Sequence, residues 1–237
     1  MSRAPPSVSS LRTAYNAQHE RSILRDRARF YGMVARRLLA CLDRSRIGQA
    51  RLLDVGCGGG YLLSEVKLRS GGAFSSFHGV DISDVALREA RRQAPEAFLL
   101  RAQGEALPYP DAAFDAVTCL GSLEHFVDPV EGAQELARVC RGTGKIWILL
   151  PNSFYSGDIW RVVRTGYGPN HHQALERFAT VNEWRDFLEK AGLVVEEVTP
   201  YNRFKWWKRL LPRNLAYHFL YRARPGTVEP APARTGT

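Results

Sequence analysis

From residue 51 onward, short apolar runs alternate with segments of helical periodicity, and this alternation constrains the fold more than any other feature. Seven apolar runs are typical of strands: residues 51–56, 74–83, 98–102, 114–122, 145–151, 193–201 and 215–224. Amphipathic segments separate most of them, at residues 61–71, 83–95, 129–140 and 181–192. Strands that alternate with helices pair in parallel through right-handed crossovers. The sequence therefore predicts a doubly wound α/β fold with a mostly parallel seven-stranded sheet.

The same pattern divides the chain into segments. Residues 51–224 form the predicted domain, with an irregular insert at 153–179 placed where a substrate would be contacted. Apolar residues recur near a 3.6-residue period upstream of the domain, so residues 11–50 are predicted to form a helical lid over it. The Ser/Pro-rich ends, 1–10 and 225–237, are predicted to be disordered.

Cysteine usage and charge narrow the class of protein. The chain holds four cysteines without a CxxC pair, which favours reduced thiols and a cytoplasmic location. We find no secretory signal and no apolar stretch near the roughly 20 residues of a membrane span. The net charge of +9 is concentrated at the two ends of the chain. Basic ends attract anionic substrates, membrane surfaces or nucleic acid, and a solvated basic surface is the simpler explanation.

Glycines follow the first predicted strand at every second position in RLLDVGCGGG, which ends at Gly60. Alone, this spacing is a weak signal for a nucleotide site, because the dinucleotide pattern G-x-G-x-x-G is not completed. Asp54, two residues before the first glycine, would repel a phosphate and attract an ammonium group. Asp81 ends the second strand, where an acid accepts hydrogen bonds from ribose hydroxyls. S-adenosylmethionine, which has an adenosine, an amino-acid group and no phosphate, fits this pair of acids.

Five segments in order from Leu52 to Pro151 give the chain a resemblance to a known family. They are LLDVGCGGG, VDIS, AQGEALPYPDAAFDAV, LGSLEHFVDP and ELARVCRGTGKIWILLPN. Together they resemble the class I S-adenosylmethionine-dependent methyltransferases. The resemblance implies a Rossmann-like fold and methyl transfer from S-adenosylmethionine by in-line displacement.

The resemblance also implies roles around the cofactor. Asp54 and the backbone of the glycine loop would face the methionine end, Asp81 the ribose and Ile82 the adenine. The full set of implied cofactor-binding residues is Asp54, Gly56, Cys57, Gly58, Gly60, Asp81, Ile82, Gln103, Gly104, Glu105, Leu120 and Gly121. Gln103 departs from the family's usual aspartate at the adenine edge, although its amide oxygen can still accept a hydrogen bond. Gly121 replaces a glutamate that completes a metal site in some relatives, so we predict no metal.

Candidate catalytic groups are His125, which follows the fourth strand, and His171 and His172 in the insert. Imidazole titrates near neutrality and can accept an acceptor's proton, but a packing or solvated role is the alternative for each. Candidate substrate contacts are aromatic or cationic side chains of the lid and the insert: Tyr15, Tyr155, Trp160, Arg164 and Tyr167. Such residues suit a flat or anionic acceptor.

The predicted activity is methylation of a small molecule, most readily at a hydroxyl oxygen in secondary metabolism or on a glycan or lipid-like acceptor. Methylation at nitrogen or carbon remains open. A nucleic-acid methyltransferase is less favoured, because no N-P-P-[YF] motif follows the fourth strand. A cofactor-binding protein without activity and an NAD(P) oxidoreductase are further alternatives. The basic aromatic segment 203–214 suits peripheral membrane contact or plain surface packing.

Overall fold

One sheet of seven strands organises the protein. The computed structural model describes residues 8–19, 27–167, 175, 177–202 and 212–226. The strands are β1 (Ala50–Val55), β2 (Phe74–Asp81), β3 (Phe98–Arg101), β4 (Phe114–Leu120), β5 (Cys140–Pro151), β6 (Leu193–Tyr201) and β7 (His218–Pro225). Their order across the sheet is β3-β2-β1-β4-β5-β7-β6. Among these seven strands, β7 is the one that runs opposite to the others. The predicted α/β class and mostly parallel seven-stranded sheet are confirmed.

Helices cover both faces of this sheet. They are α1 (Val8–His19), α2 (Arg27–Ala40), α3 (Tyr61–Ser70), α4 (Asp84–Gln93), α5 (Pro129–Val139), α6 (Ser156–Thr165) and α7 (Val181–Lys190). Helices α2, α3 and α4 contribute to one buried apolar cluster, and α5 and α7 contribute to the other. Trp147 in β5 and Tyr221 in β7 are among the largest fully buried side chains. Burying a large apolar side chain contributes about 1.5–3 kcal/mol, so these two layers hold the sheet rigid beneath its loops.

Capping residues start the helices where the sequence places them. The Ser83 hydroxyl accepts a hydrogen bond from Ala86 N at the start of α4. Asp128 accepts from two amides at the start of α5, with proline in the first turn. Thr180 and Glu183 form a reciprocal capping box on α7. Because each cap follows a strand or a turn, the chain turns back onto the sheet within a few residues.

Two segments differ from the sequence-based prediction. Helix α1 begins at Val8, so residues 8–10 are helical although their serines suggested disorder; serine is common at helix starts, and composition does not separate the two. Within the predicted helical lid over 11–50, the structure describes α1, α2 and a 3-10 turn at Arg44–Arg46, and residues 20–26 lie outside the described residues. The insert, predicted to be irregular, contains α6, which ends at Gly166 in the left-handed conformation.

Candidate cofactor and active site

The glycine loop between β1 and α3 uses its amide groups inside the protein. Gly56 N and Cys57 N donate to Val80 O at 2.8 and 3.0 Å. Gly58 N donates to Asp81 Oδ2 at 2.8 Å. A phosphate-binding loop needs such amides for the anion. Since these three are already engaged, this loop suits a ligand that donates hydrogen bonds, such as an ammonium group, better than a pyrophosphate.

Two glycines of this loop are required for close packing. A side chain on Gly56 (φ 71°) would overlap the Ser122 hydroxyl, which belongs to the turn after β4. A Cβ on Gly60 would lie 3.0 Å from Ala90 Cα in α4. Gly60 therefore lets α3 begin against α4. Its observed contact is with a helix, and proximity to the cofactor, which the resemblance implied, stays a prediction.

Asp54, the penultimate residue of β1, is almost completely buried. Its Oδ1 accepts a hydrogen bond from the Thr118 hydroxyl of β4 at 2.6 Å. Burial raises the pKa of Asp54 to about 7; the Thr118 hydrogen bond opposes this shift, and the charge of Asp81 adds to it. A cation that arrives beside this carboxyl would favour its ionised form. The geometry is compatible with the ammonium-facing role, which remains a proposal.

Asp81 links the second strand to the loop after the first. Its Oδ2 accepts from Gly58 N and its Oδ1 from Ser83 N, each at 2.8 Å. An ionised carboxylate has about four lone-pair positions, so it can accept from ribose hydroxyls as well as from backbone amides. The two bonds fix the orientation of the carboxylate. Ile82, the next residue, is half-buried beside it.

The turn after β3 packs against the turn after β4 and is hydrogen-bonded to it. Gln103 is exposed, whereas Gly104 is buried, and a side chain on Gly104 would overlap the ring of Phe126. The Glu105 carboxylate accepts from Val127 N at 2.7 Å. This hydrogen bond fixes one oxygen of the Glu105 carboxylate. The resemblance implied that the turn of Gln103, Gly104 and Glu105 binds the cofactor, and contact of this turn with the adenine stays a prediction.

Leu120 is the last residue of β4, and Gly121 begins the turn that follows it. Both are half-buried at the carboxyl edge of the sheet, beside the glycine loop. Gly121 has a φ of 68° and donates its N–H to Leu149 O at 3.0 Å. The left-handed conformation turns the chain away from the sheet into a 3-10 turn at Leu123–His125. The position fits the cofactor-binding role that the resemblance implied for these residues, and contact with the cofactor stays a prediction.

His125 lies inside the protein, and 7% of it is exposed. Its Nδ1 is 2.5 Å from Leu175 O, and its Nε2 is 3.5 Å from Glu124 Oε1. Burial lowers the pKa of His125 to about 4; the Leu175 carbonyl opposes this shift and Arg177 adds to it. The ring is thus neutral and donates to the carbonyl of Leu175, which links the end of the insert to the turn after β4. This geometry favours the structural role over the catalytic one.

Arg177 fastens the same turn and was missed by the sequence analysis. Its guanidinium donates to the carbonyl oxygens of Glu124, Phe126 and Val127 at 3.2, 2.6 and 3.0 Å. A single arginine in a loop has no periodicity or motif that marks it. Thr118 was missed for a similar reason, since its partner Asp54 is 64 residues away in the sequence.

The predicted substrate contacts divide between an inner and an outer group. Tyr155 is half-buried, and its ring lies 4.9 Å from that of Tyr217. Trp160 and Arg164 are exposed on α6, and Tyr167 is exposed just beyond its end. The exposed fractions of Trp160 and Tyr167 are 66% and 74%. Among the predicted contacts whose side chains the structure describes, Tyr155 packs at the edge of the sheet and the other three are exposed. His171, His172 and the side chain of Tyr15 lie outside the described residues.

Two further observations concern metal and membrane. Across the described parts of the chain, no three His, Cys, Asp or Glu side chains group closely enough to hold a metal ion. No helix within those parts is both long and apolar enough to cross a membrane. The four cysteines are all free, as expected.

The strand order, the glycine loop and the acid that ends β2 define a Rossmann-like α/β protein that binds an adenosyl ligand without phosphates. A family model described as a methyltransferase domain matches residues 53–148. The ubiquinone biosynthesis O-methyltransferase of Saccharophagus degradans is 27% identical over 194 residues, or 77% of this chain and 80% of the relative. The protein of the same name from Xylella fastidiosa is 29% identical over 178 residues, or 70% of each chain.

A solved structure agrees on the fold. Magnesium protoporphyrin IX methyltransferase from Synechocystis PCC 6803, with bound SAH, has a TM-score of 0.65 at 14% identity and covers 92% of this chain and 99% of its own. Residues 53–148 of this chain form a methyltransferase domain, and the chain is similar to the class I S-adenosylmethionine-dependent methyltransferases. It is an enzyme whose methyl donor is S-adenosylmethionine.

Proposed function

We propose that this enzyme transfers the methyl group of S-adenosylmethionine to a hydroxyl oxygen of a small aromatic acceptor, by in-line displacement. The observation that carries the proposal is a rim of aromatic side chains at the carboxyl edge of β5 and β6, on the same edge as the cofactor loops. Phe30 of α2 lies 4.6 Å from Tyr201, and Tyr217 lies 4.9 Å from Tyr155 and 4.1 Å from His218, measured between ring centroids. Aromatic rings pack favourably against a flat acceptor.

The cofactor end of the site is assigned to the residues already described. Asp81 would receive the ribose hydroxyls, Asp54 and the carbonyl groups of the glycine loop would face the ammonium group, and Ile82 would pack on the adenine. S-adenosylmethionine, when bound, supplies an activated methyl group on a sulfonium sulfur. The task left to the protein is orientation, which is worth roughly 7–11 kcal/mol in well-placed reactions. The rigid sheet and the engaged loop amides supply it.

A hydroxyl acceptor has to release a proton. His125 is poorly placed to receive it, because its Nδ1 is bonded to Leu175 and its ring is buried. His218 is half-buried on the aromatic rim, at the start of β7, and pairs in the sheet with Pro151 and Tyr201. We assign to His218 the role of the base that accepts the proton of the acceptor hydroxyl. His171 and His172, which lie outside the described residues, stay predicted candidates for the same role.

The relatives support oxygen as the acceptor atom. Both relatives are named ubiquinone biosynthesis O-methyltransferases, so oxygen is the acceptor atom in their names. Methylation at nitrogen or carbon is the alternative for the same site. No contact of the described residues favours nucleic acid.

A panel of acceptors with radiolabelled S-adenosylmethionine tests the proposal. The panel contains phenols and catechols, arylamines, active methylene compounds, and total tRNA. We expect label on phenolic hydroxyls, lost in Asp81→Asn and reduced at least tenfold in kcat in His218→Ala. Label on amines, carbon or tRNA, with none on hydroxyls, would contradict it.

A further inference from the structure

Helix α1 docks beside the cofactor loops through one asparagine. Asn16 Oδ1 accepts a hydrogen bond from the Ser83 hydroxyl at 2.6 Å and lies 3.5 Å from Val85 N. Asn16 is half-buried in this contact, and α1 packs on α4. The docking point is the first turn of α4, immediately after the end of β2.

Ser83 connects this contact to the acid that ends β2. Ser83 N donates to Asp81 Oδ1 at 2.8 Å, and the Ser83 hydroxyl accepts from Ala86 N at 3.1 Å. The hydroxyl therefore has its hydrogen for Asn16 and a lone pair for Ala86, and Ser83 is fully buried. A chain of hydrogen bonds thus runs from Asn16 through Ser83 to the Asp81 carboxylate.

We infer that Asn16 is a positioning residue for the methyl donor, which holds α1 over the ribose end of the crevice and fixes the Ser83 turn that orients Asp81. The inference rests on the proposed function in one respect: Asp81 has to be the residue that receives the ribose. It adds a residue from the lid to the cofactor site and gives the lid a specific point of closure.

Substitution at Asn16 separates this role from helix formation. Alanine is a better helix former than asparagine, so Asn16→Ala leaves α1 at least as helical and removes the side-chain amide with its acceptor oxygen. Asn16→Asp keeps an acceptor oxygen for Ser83. Thr13→Ala is the matched control, because the Thr13 hydroxyl bonds only to Ser9 O within α1 among the hydrogen bonds of the described residues.

The test is calorimetric titration with S-adenosylhomocysteine, which needs no methyl acceptor. Losing one neutral hydrogen bond weakens binding roughly 3- to 10-fold, and we expect this for Asn16→Ala. Asn16→Asp and Thr13→Ala should bind within about twofold of wild type, given the same acceptor count. In Ser83→Ala, which already lacks the hydroxyl, adding Asn16→Ala should cost less than about twofold more.

Tryptic cleavage after Arg12 in α1 provides a readout that a general loss of stability would not reproduce. S-adenosylhomocysteine should slow this cleavage in wild type, Asn16→Asp and Thr13→Ala, and leave it unchanged in Asn16→Ala. Equal affinity and equal protection in wild type and Asn16→Ala would overturn the inference. An Asn16→Asp variant as weak as Asn16→Ala would do the same. If wild type itself does not bind S-adenosylhomocysteine, the cofactor assignment fails and this inference falls with it.

Discussion

Replacing Arg177 by methionine removes three hydrogen bonds that hold the turn after β4. The guanidinium donates to the carbonyls of Glu124, Phe126 and Val127 at 3.2, 2.6 and 3.0 Å. A hydrogen bond to a charged group contributes about 1.5–3 kcal/mol, but the three bonds share one half-exposed side chain and are not additive. We therefore expect the free energy of unfolding to fall by about 3 kcal/mol. Methionine keeps an apolar stem of similar length, so the loss reports on the hydrogen bonds.

Urea unfolding followed by tryptophan fluorescence measures this change. For a chain of this length, each kcal/mol shifts the melting temperature by about 2–4 °C, so Arg177→Met should melt about 6–12 °C lower. Arg213→Met is the control, because exposed Arg213 makes one hydrogen bond to Val198 O at 3.2 Å. We expect a change within about 0.5 kcal/mol there. A loss below about 1 kcal/mol in Arg177→Met, or equal losses in both variants, would refute the claim that Arg177 holds the turn after β4.

Three further outcomes follow from the site. Because the pKa of Asp54 is about 7 instead of 3.8, its contribution to stability falls as pH rises from about 4 to about 7, and binding of the cationic donor should tighten over about pH 6–8. Asp54→Asn should flatten the pH dependence of donor binding measured by calorimetry. An unchanged pH dependence would exclude Asp54 as the group whose ionisation tightens binding. Gly104→Ala overlaps Phe126 and should cost about 1–3 kcal/mol in urea unfolding, whereas Gly142→Ala, with open space around its Cβ, should cost less. The pKa of His125 is lowered to about 4, so the unfolded state binds more protons and stability drops as pH falls from 6.5 towards 4. His125→Asn should make this drop shallower, and an identical drop would contradict the assignment of a buried neutral ring.

The fold was predictable because its signals are local. Alternating apolar runs mark the strands, and Ser83, Asp128 and Thr180 mark helix starts with side chains that cap the next turn. Helix α6 was also within reach, since Asp158 lies in its first turn and Gly166 follows its end. None of its residues is buried, and apolar ones such as Trp160 are exposed, so the helix has no stripe that faces the core.

The site was predictable only in part, because its decisive contacts join distant segments. Position alone placed Asp81 and the glycine loop at the carboxyl edge of the sheet. Position did not show that Glu105 bonds to Val127 N, or that His125 bonds to Leu175 O, 50 residues away. These partners come from loops whose paths the sequence does not determine. The aromatic rim was not apparent for the same reason, since it joins Phe30 of α2 to Tyr201 of β6, and Tyr155 to Tyr217 in the turns before α6 and β7.

A crystal structure with S-adenosylhomocysteine tests the central claim most directly. We predict that the ribose hydroxyls lie within hydrogen-bond distance of Asp81, and that the ammonium group lies beside Asp54 and the glycine-loop carbonyls. The adenine should lie against Ile82 and the turn at Gln103. A ligand that occupies another cleft, or one that lies here with its amino-acid end at Asp81 and its ribose at Asp54, would contradict the account.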